Sequence, residues 1–228
     1  MQAMIHEPSP NYDDRDGPVS VLVMHYTGMP TARAAIDLLK SPRAKVSAHY
    51  VVDEDGTIYN LVPEARRAWH AGISCWRGER MLNDSSIGIE IVNPGHAWGY
   101  RPFPHSQMLA VLNLAQQIIA RHGIPARNVV AHSDIAPNRK QDPGELFDWS
   151  WLAARGVGIW TEDFAPSVAW QKDLAMIGYD MSLPERDVLL AFQRHFLPTH
   201  LTGVADIPTM GRAASLRRLV VDASGEQS

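Results

Sequence analysis

Cysteine is nearly absent from this chain, with Cys75 as the one thiol among 228 residues. A single cysteine excludes an internal disulfide and a cysteine-rich zinc ribbon. Histidine, by contrast, occurs 10 times. If the chain holds a metal ion, nitrogen and oxygen ligands must therefore supply the site.

The sequence also lacks an excess of positive charge and a long hydrophobic run. Its 21 basic and 25 acidic side chains give a net charge of −4 and an isoelectric point of about 6.2, which argues against a nucleic-acid-binding protein. The first apolar run, 19–24, has the length of a strand and is far too short to cross a membrane. Hydrophobic residues make up 45% of the chain, which excludes disorder as its main state.

Residues 1–18 carry none of the features of an export signal. They contain no basic n-region, no apolar h-region, no small-residue cleavage site and no cysteine for lipid attachment. We therefore expect a cytoplasmic protein. If a leader has been removed, the mature chain would instead be periplasmic.

Short apolar, β-branched runs alternate with helical patterns over the first two thirds of the chain, and the predicted strands are 19–24, 48–52, 57–62, 87–92 and 128–131. The second and third of them flank an Asp-Gly turn, which is typical of a β-hairpin. A helix is predicted over 31–40 with Thr31 as its N-cap. A longer helix is predicted over 106–122, capped by Ser106 and ended by Gly123. The alternation predicts an α/β fold in which a mixed central β-sheet is flanked by helices.

The pattern changes after Trp160. Residues 161–166 are typical of a linker, and three helical segments are predicted to follow at 168–177, 185–196 and 210–221. We therefore predict a larger domain over residues 1–160, followed by a linker and a small C-terminal three-helix domain over residues 161–228.

Two histidines stand where predicted strands end. His25 follows one buried strand, while His132 ends another and opens an irregular segment that contains Asp142. Catalytic zinc takes three protein ligands and keeps a fourth position for water or substrate, and these residues would supply that set. The spacing also allows two ordinary strand-end histidines and an Asp142 that caps a helix over 143–151. On spacing alone, this second interpretation is favoured.

A carboxylate interrupts the otherwise apolar strand at Glu90. Burying an unpaired carboxylate is costly, so such a residue usually has a task. Beside a zinc site Glu90 would act as a general base, whereas on a strand with a solvated outer face it would simply point outward. Lys140 has a similar pair of interpretations, because a cation near Asp142 could stabilise an oxyanion or lie on a solvated loop.

Five ordered stretches resemble the zinc-dependent N-acetylmuramoyl-L-alanine amidases of the type-2 amidase and peptidoglycan-recognition superfamily. They cover most of residues 20–150 and read His25-Tyr-Thr-Gly28, Ser47-Ala-His-Tyr50, Ala68-Trp-His-Ala-Gly72, Asn83-Asp-Ser-Ser-Ile-Gly-Ile-Glu90 and Ala131-His-Ser-Asp-Ile-Ala-Pro-Asn-Arg-Lys-Gln-Asp-Pro-Gly144. Residues 168–221 are similar to the peptidoglycan-binding-like domain that one branch of these amidases carries at its C-terminus.

The resemblance implies a role for each residue discussed above. It implies that the zinc ligands are His25, His132 and Asp142. It implies that the catalytic glutamate is Glu90 and that the lysine assisting the transition state is Lys140. It also implies contacts with the substrate from Trp69, His70 and Asn93.

The reaction implied by the resemblance is hydrolysis of the amide bond between the lactyl group of N-acetylmuramic acid and L-alanine of a peptidoglycan stem peptide. Because no export signal is visible, we expect a role in recycling soluble muropeptides, in their 1,6-anhydro form. An exported amidase acting on intact sacculi would share the chemistry. A non-catalytic peptidoglycan-binding receptor is the third hypothesis, but such receptors typically lack a zinc ligand, and this sequence retains the whole set.

Overall fold

The computed structural model describes residues 4–225, with side chains described as far as Val221. Residues 1–3 and 226–228, at the outer ends of the two predicted domains, lie outside the described residues. The strands in the described part are β1 (Met4–His6), β2 (Tyr12–Asp14), β3 (Val21–Tyr26), β4 (Tyr50–Val52), β5 (Ile58–Asn60), β6 (Arg66–Ala68), β7 (Cys75–Trp76), β8 (Glu79–Arg80), β9 (Ser86–Ile91) and β10 (Val129–Ala131).

Helices occupy much of the remaining chain. Within the same described residues they are α1 (Ala32–Lys40), α2 (Gly95–Trp98), α3 (His105–His122), α4 (His132–Ile135), α5 (Trp149–Ala153), α6 (Trp170–Ile177), α7 (Glu185–Phe196) and α8 (Ile207–Gly225). None of them combines the length and the hydrophobicity that a membrane-spanning helix needs.

The central sheet has six strands in the order β1-β5-β4-β9-β3-β10. Strand β3 pairs in parallel with β9 on one side and with β10 on the other. Strands β4 and β5 pair antiparallel, as predicted for the hairpin, while β4 pairs in parallel with β9. The predicted fold, a mixed central β-sheet flanked by helices, is confirmed.

The helix ends test the capping predictions one by one. Thr31 caps α1, because its hydroxyl oxygen accepts a hydrogen bond from the backbone N–H of Ala34. Gly123 ends α3 in the left-handed conformation that glycine adopts without strain. The predicted cap at Ser106 is wrong, because α3 already begins at His105. The hydroxyl of Ser106 instead donates to a carbonyl outside the helix, that of Glu54, at 2.8 Å.

Alternation along the strands assigns each side chain to one face of the sheet. On the first face, the even-numbered Leu22 and Met24 of β3 pack with the odd-numbered Ile87, Ile89 and Ile91 of β9. Helix α3 covers this face with an apolar stripe, made of Val111, Leu114, Ala115 and Ile118. This part of the core is what the apolar strands in the sequence predict.

The C-terminal helices cover the opposite face. There Val21, Val23 and Val130 belong to one hydrophobic cluster with buried side chains of the C-terminal segment, namely Leu174, Ile177, Tyr179, Val188, Leu189, Ala191, Phe192, Phe196, Leu197, Ala213 and Leu216. The three predicted C-terminal helices are therefore present, and they share a core with the sheet. The division into two domains at residue 160 stays a prediction.

Buried polar contacts add to this attachment. Asp134 lies in the single helical turn α4, directly after β10. It accepts a hydrogen bond from the Tyr179 hydroxyl at 2.7 Å and from Nδ1 of His195 at 2.6 Å. It also accepts one from the backbone N–H of Ala131 at 2.8 Å. Charge-assisted bonds of this kind are strong when water is excluded, and Asp134 is 1% exposed. The C-terminal helices thus hold the turn that begins with His132.

The shared core predicts that a truncation in the C-terminal segment destabilises the whole molecule. Phe192→Ala is expected to lower the free energy of unfolding by about 3–5 kcal/mol, because Phe192 is fully buried in that core. Urea titrations followed by tryptophan fluorescence and by circular dichroism should give coincident midpoints for the variant. The control, Val168→Ala at an exposed position, should leave the midpoint unchanged. Two separate transitions would favour independent domains.

Candidate active site

Three parallel strands end at one edge of the sheet, and each brings a polar side chain there. The register of β3 and β9 sets His25 directly beside Glu90. Strand β10 pairs Ala131 with Met24, so His132 follows at the same level as His25. The edge at the carboxyl ends of parallel strands is the usual place for a functional site in α/β proteins.

Two histidines and one aspartate converge at this edge. Nδ1 of His25 lies 2.9 Å from Nδ1 of His132 and 3.2 Å from Oδ2 of Asp142, and the last two atoms are 2.9 Å apart. Ligand atoms around tetrahedral zinc, with bonds of about 2.0–2.1 Å, lie roughly 3.3 Å from one another. The three residues therefore form a group that could hold a metal ion.

Burial and mutual contacts keep His25 and Asp142 in the protonation states that a metal requires. Burial, followed by the neighbouring His132, lowers the pKa of His25 to about 4, so its imidazole is neutral at pH 7. Burial alone would raise the pKa of Asp142, yet the contacts with His132 and His25 hold it below its ordinary value. A neutral imidazole and an ionised carboxylate are the ligating forms.

Asp142 does not take the capping role that its spacing also allowed. The helix in that region is α5, and its N-cap is Asp148, whose side chain accepts from the backbone N–H of Trp151. The loop that starts at His132 instead folds back on itself, because the backbone N–H of Ser133 donates to the carbonyl of Asp142 at 3.0 Å. This closure brings Asp142 next to the two histidines.

Glu90 faces the same site from β9. Its Oε2 atom is shielded from water and has no hydrogen-bond partner among the described residues. Burial raises the pKa of Glu90 well above its ordinary value, and the negative charge of Asp142 raises it further, while Lys140 acts in the opposite direction. A glutamate whose pKa lies closer to neutrality is better suited to accept and return a proton. Glu90 therefore does not simply point outward into solvent, which was the alternative interpretation.

A cleft of about 360 Å³ opens over the edge of the sheet. Its lining consists of Tyr26, Thr27, Gly28, Met29, Ala35, Leu38, Leu39, Val46, Ser47, Trp69, His70, Glu90, His132, Arg139, Lys140, Gln141 and Asp142. Within the part of the chain that the structure describes, no lining residue comes from the C-terminal helices. A pocket of this size that contains several polar groups is a suitable binding site for a small ligand.

The predicted substrate contacts differ in their surroundings. Trp69 lines the cleft, and its indole N–H donates to Asp13 at 2.6 Å. Asn93 is 1% exposed and is not part of the lining. Its side chain accepts from the backbone N–H of Gly95 and donates to the carbonyl of Arg101, which favours a role in shaping its loop over contact with substrate.

His70 lies at the border between the cleft and the interior. It contributes to the lining, yet it is 9% exposed and both its ring nitrogens have partners inside the protein. Nδ1 lies 3.0 Å from Nε2 of His25, and Nε2 lies 3.2 Å from the hydroxyl of Ser86. The structure thus places His70 directly behind a member of the metal-binding group.

Sequence reasoning did not identify two further residues of the cleft. Tyr26 and Arg139 both line it, and each is the chain neighbour of a predicted site residue, His25 and Lys140 respectively. Arg139 donates to the carbonyls of Ala71 and Ile73. The sequence offered one signal for both residues: each is the immediate neighbour of a predicted site residue.

An α/β fold with two histidines, an aspartate and a nearby glutamate at the carboxyl edge of its parallel strands is typical of metal-dependent hydrolases. The comparison with known families agrees with this class. Residues 15–145 match the model of the N-acetylmuramoyl-L-alanine amidase family, Amidase_2. The chain belongs to this family.

Named relatives extend the match beyond the family model. The N-acetylmuramoyl-L-alanine amidase AmiD of Escherichia coli K12 is 41% identical over 229 residues, which span 87% of this chain and 82% of AmiD. The 1,6-anhydro-N-acetylmuramyl-L-alanine amidase AmpD of Citrobacter freundii is 38% identical over 162 residues, which span 63% of this chain and 84% of AmpD. The similarity to AmiD thus includes much of the C-terminal segment.

Solved structures support the same relationship. AmiD from E. coli, in complex with the substrate anhydro-N-acetylmuramic acid-L-Ala-D-γ-Glu-L-Lys, matches with a TM-score of 0.80 at 40% identity, over 88% of this chain and 89% of that one. AmpDH3 from Pseudomonas aeruginosa, in complex with an anhydromuramic pentapeptide, matches with a TM-score of 0.80 at 33% identity, over 88% and 92% of the two chains. Sequence and fold therefore lead to the same family.

Glu90 is half-buried, and its shielded Oε2 atom has no hydrogen-bond partner among the described residues. This predicts a pH-dependent gain in stability when the carboxylate is removed. A carboxyl group whose pKa is raised by folding loses its contribution to stability as the pH rises through the folded-state value. In metal-free protein, Glu90→Gln is therefore expected to increase the free energy of unfolding at pH 8 by on the order of 1–3 kcal/mol and to change it little at pH 4. Urea denaturation at both pH values measures this difference.

A matched control for this measurement is Glu79→Gln, at an exposed position, which should have no effect at either pH. A destabilising effect of Glu90→Gln at pH 8 would contradict the inference that the carboxylate is held with its Oε2 atom shielded and without a partner among the described residues.

Proposed function

We propose that this chain is a zinc-dependent amidase that hydrolyses the bond between N-acetylmuramic acid, in its 1,6-anhydro form, and L-alanine of peptidoglycan stem peptides, in muropeptide recycling. The observation that carries the proposal is the convergence of His25, His132 and Asp142 beside Glu90 in one cleft. Membership in the N-acetylmuramoyl-L-alanine amidase family supports the bond that is cleaved.

The residues at this edge fit a zinc ion. A neutral imidazole can direct one lone pair at a metal, and a carboxylate can supply an oxygen, so the donor set is two nitrogens and one oxygen. Three such atoms about 3 Å apart repel one another when all present lone pairs, and a metal ion between them would remove that repulsion. In such a site zinc supplies Lewis acidity toward a carbonyl group and toward water.

Glu90 would act as the general base and then the general acid. Its carboxylate would accept a proton from the attacking water and return it to the leaving amine of L-alanine, so that no free amide anion forms. The shielding of its Oε2 atom and its raised pKa support this assignment, because a raised pKa makes the carboxylate a better proton acceptor.

Lys140 would stabilise the negative charge that develops on the carbonyl oxygen. It lines the cleft together with Asp142 and Glu90, and its charge influences the pKa of both His25 and Glu90. A cation held near the reacting carbonyl is worth more in a water-poor cleft than in bulk water. Trp69 would form part of the wall against which the substrate lies.

The relatives support the form of the substrate. The AmpD proteins are named for the 1,6-anhydro sugar, and the structures of AmiD and AmpDH3 hold anhydromuramic peptides. We extend this preference to the present chain. Recycling of such soluble fragments places the reaction in the cytoplasm, whereas action on intact sacculi would require export.

We also propose that the C-terminal segment is the peptidoglycan-binding-like domain that one branch of these amidases carries. Its helices pack on the sheet instead of lining the cleft, so we assign them a supporting role in catalysis. Glycan binding by these helices would be an additional property, and a pull-down of the full chain on purified sacculi measures it.

Removal of the Glu90 carboxylate should separate metal binding from catalysis. Glu90→Gln is expected to bind one zinc per chain as the wild type does, and to lose amide cleavage by about 10²–10⁴-fold because the proton acceptor is gone. Atomic absorption measures the zinc content, and mass spectrometry measures the release of stem peptide. Near wild-type turnover of the zinc-loaded variant would contradict the role of Glu90.

Metal removal should abolish the reaction reversibly. Dialysis against a chelator is expected to stop hydrolysis of an anhydromuropeptide, and added zinc should restore it, because the proposed ligands bind the metal reversibly. Glu90→Gln protein treated in the same way provides the background rate. Undiminished hydrolysis by protein shown to be free of metal would refute zinc dependence.

Two substrates distinguish the alternatives. The recycling enzyme should release peptide from soluble anhydromuropeptides much faster than from intact sacculi, as measured by mass spectrometry on both. Faster release from sacculi, together with activity in the periplasmic fraction of cells, would support the exported amidase instead. Binding of muropeptide without any peptide release would indicate a receptor.

A further inference from the structure

A chain of hydrogen bonds runs from a backbone carbonyl to the metal-binding group, and its direction can be read from the first bond. The hydroxyl of Ser86 donates to the carbonyl of Leu82, which can only accept. The single hydroxyl proton of Ser86 is therefore committed. Because the same oxygen lies 3.2 Å from Nε2 of His70, the ring nitrogen must be the donor in that contact.

The next bond follows from the tautomer of His70. A His25 that ligates zinc through Nδ1 keeps its own proton on Nε2 and needs an acceptor there. A neutral His70 ring has one proton, and the contact with Ser86 assigns it to Nε2. With that proton on Nε2, the Nδ1 atom is an acceptor, and it lies 3.0 Å from Nε2 of His25. His25 thus donates from Nε2 and keeps a lone pair on Nδ1, the atom nearest to His132 and Asp142.

The second histidine ligand is oriented by the residue that follows His70. Nε2 of His132 lies 3.2 Å from the carbonyl of Ala71, and a carbonyl accepts, so this nitrogen also carries the proton. Nδ1 of His132 is the nitrogen that faces His25 and Asp142 and would ligate the metal. Two adjacent residues, His70 and Ala71, therefore fix the tautomers of both histidines.

This pair of residues is itself held firmly. The side-chain oxygen of Asn83 accepts from the backbone N–H groups of His70 and Ala71, at 3.1 and 2.7 Å. The His70 ring lies directly on the backbone of β9 at Gly88, where a Cβ atom would come within 2.5 Å of the ring. The stretches around residues 69–72 and 83–90 thus form one unit behind the site.

We propose that His70 is a positioning residue, which accepts a hydrogen bond from His25 and so presents the Nδ1 lone pair of His25 to the metal, and that it does not contact the substrate. The inference rests on the proposed zinc site. Outer partners that orient a ligating histidine typically change metal affinity by about 10–100-fold when they are removed. Both polar atoms of His70 are used in this chain of bonds, which leaves none to bind a substrate.

A pair of variants isolates the acceptor. His70→Leu removes it while keeping bulk in the pocket, and His70→Asn restores a side-chain oxygen near the position of Nδ1. We expect His70→Leu to weaken zinc binding by about 10–100-fold and His70→Asn to recover part of that loss. Competition with a chromophoric chelator measures affinity, and His105→Ala, an exposed histidine, is the matched control without effect.

Kinetics at saturating zinc separate positioning from substrate contact. For His70→Leu we expect the KM for an anhydromuropeptide to be unchanged once the metal site is full. A raised KM with wild-type zinc affinity would overturn the proposal in favour of substrate contact. If the wild-type chain takes up no zinc, the proposed function fails as well, whereas normal zinc affinity in both wild type and His70→Leu overturns this inference alone.

The wild-type protein provides a direct readout that does not depend on the folding of any variant. A long-range ¹H–¹⁵N spectrum of histidine-labelled, zinc-loaded protein reports which ring nitrogen of each histidine carries the proton. We expect Nε2–H for His70 and for His25. A proton on Nδ1 of His70 would reverse the bond to His25 and overturn the proposal, even if zinc still binds.

Discussion

The parallel register of β3 with β9 sets His25 beside Glu90, and the rest of the site depends on this pairing. Alternation then assigns every second residue to the same face, so Ser86, Gly88 and Glu90 follow one another along β9. Ser86 contacts a ring nitrogen of His70, Gly88 leaves space for that ring, and Glu90 places a carboxylate at the edge of the cleft. A shift of one residue in this register would exchange the whole polar set for the apolar one that packs on α3.

Several histidines lie in a water-poor interior, where each ring nitrogen needs a hydrogen-bond partner. Neighbouring strands and loops supply these partners. A buried ring nitrogen without a partner is costly, and a ring with the wrong tautomer cannot ligate a metal. Here the partners are the hydroxyl of Ser86, a second histidine and the carbonyl of Ala71. Ser86 lies in β9, and the Asn83 side chain holds the backbone at His70 and Ala71. By contrast, the Oε2 atom of Glu90 has no partner within residues 4–225. The hydrogen-bonding groups of these histidines are therefore satisfied, whereas the carboxylate that we propose as the proton acceptor keeps an atom free.

Much of this could be predicted from sequence, because strand ends and turns leave local signals. The strands that carry His25, Glu90 and His132 show as apolar runs, and parallel strands end at a common edge. Spacing could not decide between ligand and helix cap for Asp142, because the choice depends on a loop that closes back on Ser133. Nor could it show that His70 bonds to Ser86, since that contact depends on how a loop lies over β9. The C-terminal helices were predictable as amphipathic segments, but such a pattern does not name the surface that a helix covers.

The position of those helices limits what they can do for the reaction. They supply no lining residue to the cleft among the residues described, so any influence on the substrate must pass through the catalytic part of the chain. Two of the contacts that join them to it are the apolar face of β3 and β10, which they cover, and the carboxylate of Asp134, which Tyr179 and His195 bind. Asp134 also accepts from the backbone of Ala131, the residue just before His132, a candidate metal ligand. The C-terminal segment therefore stabilises the turn that carries His132, and this requires neither glycan binding nor an independent domain.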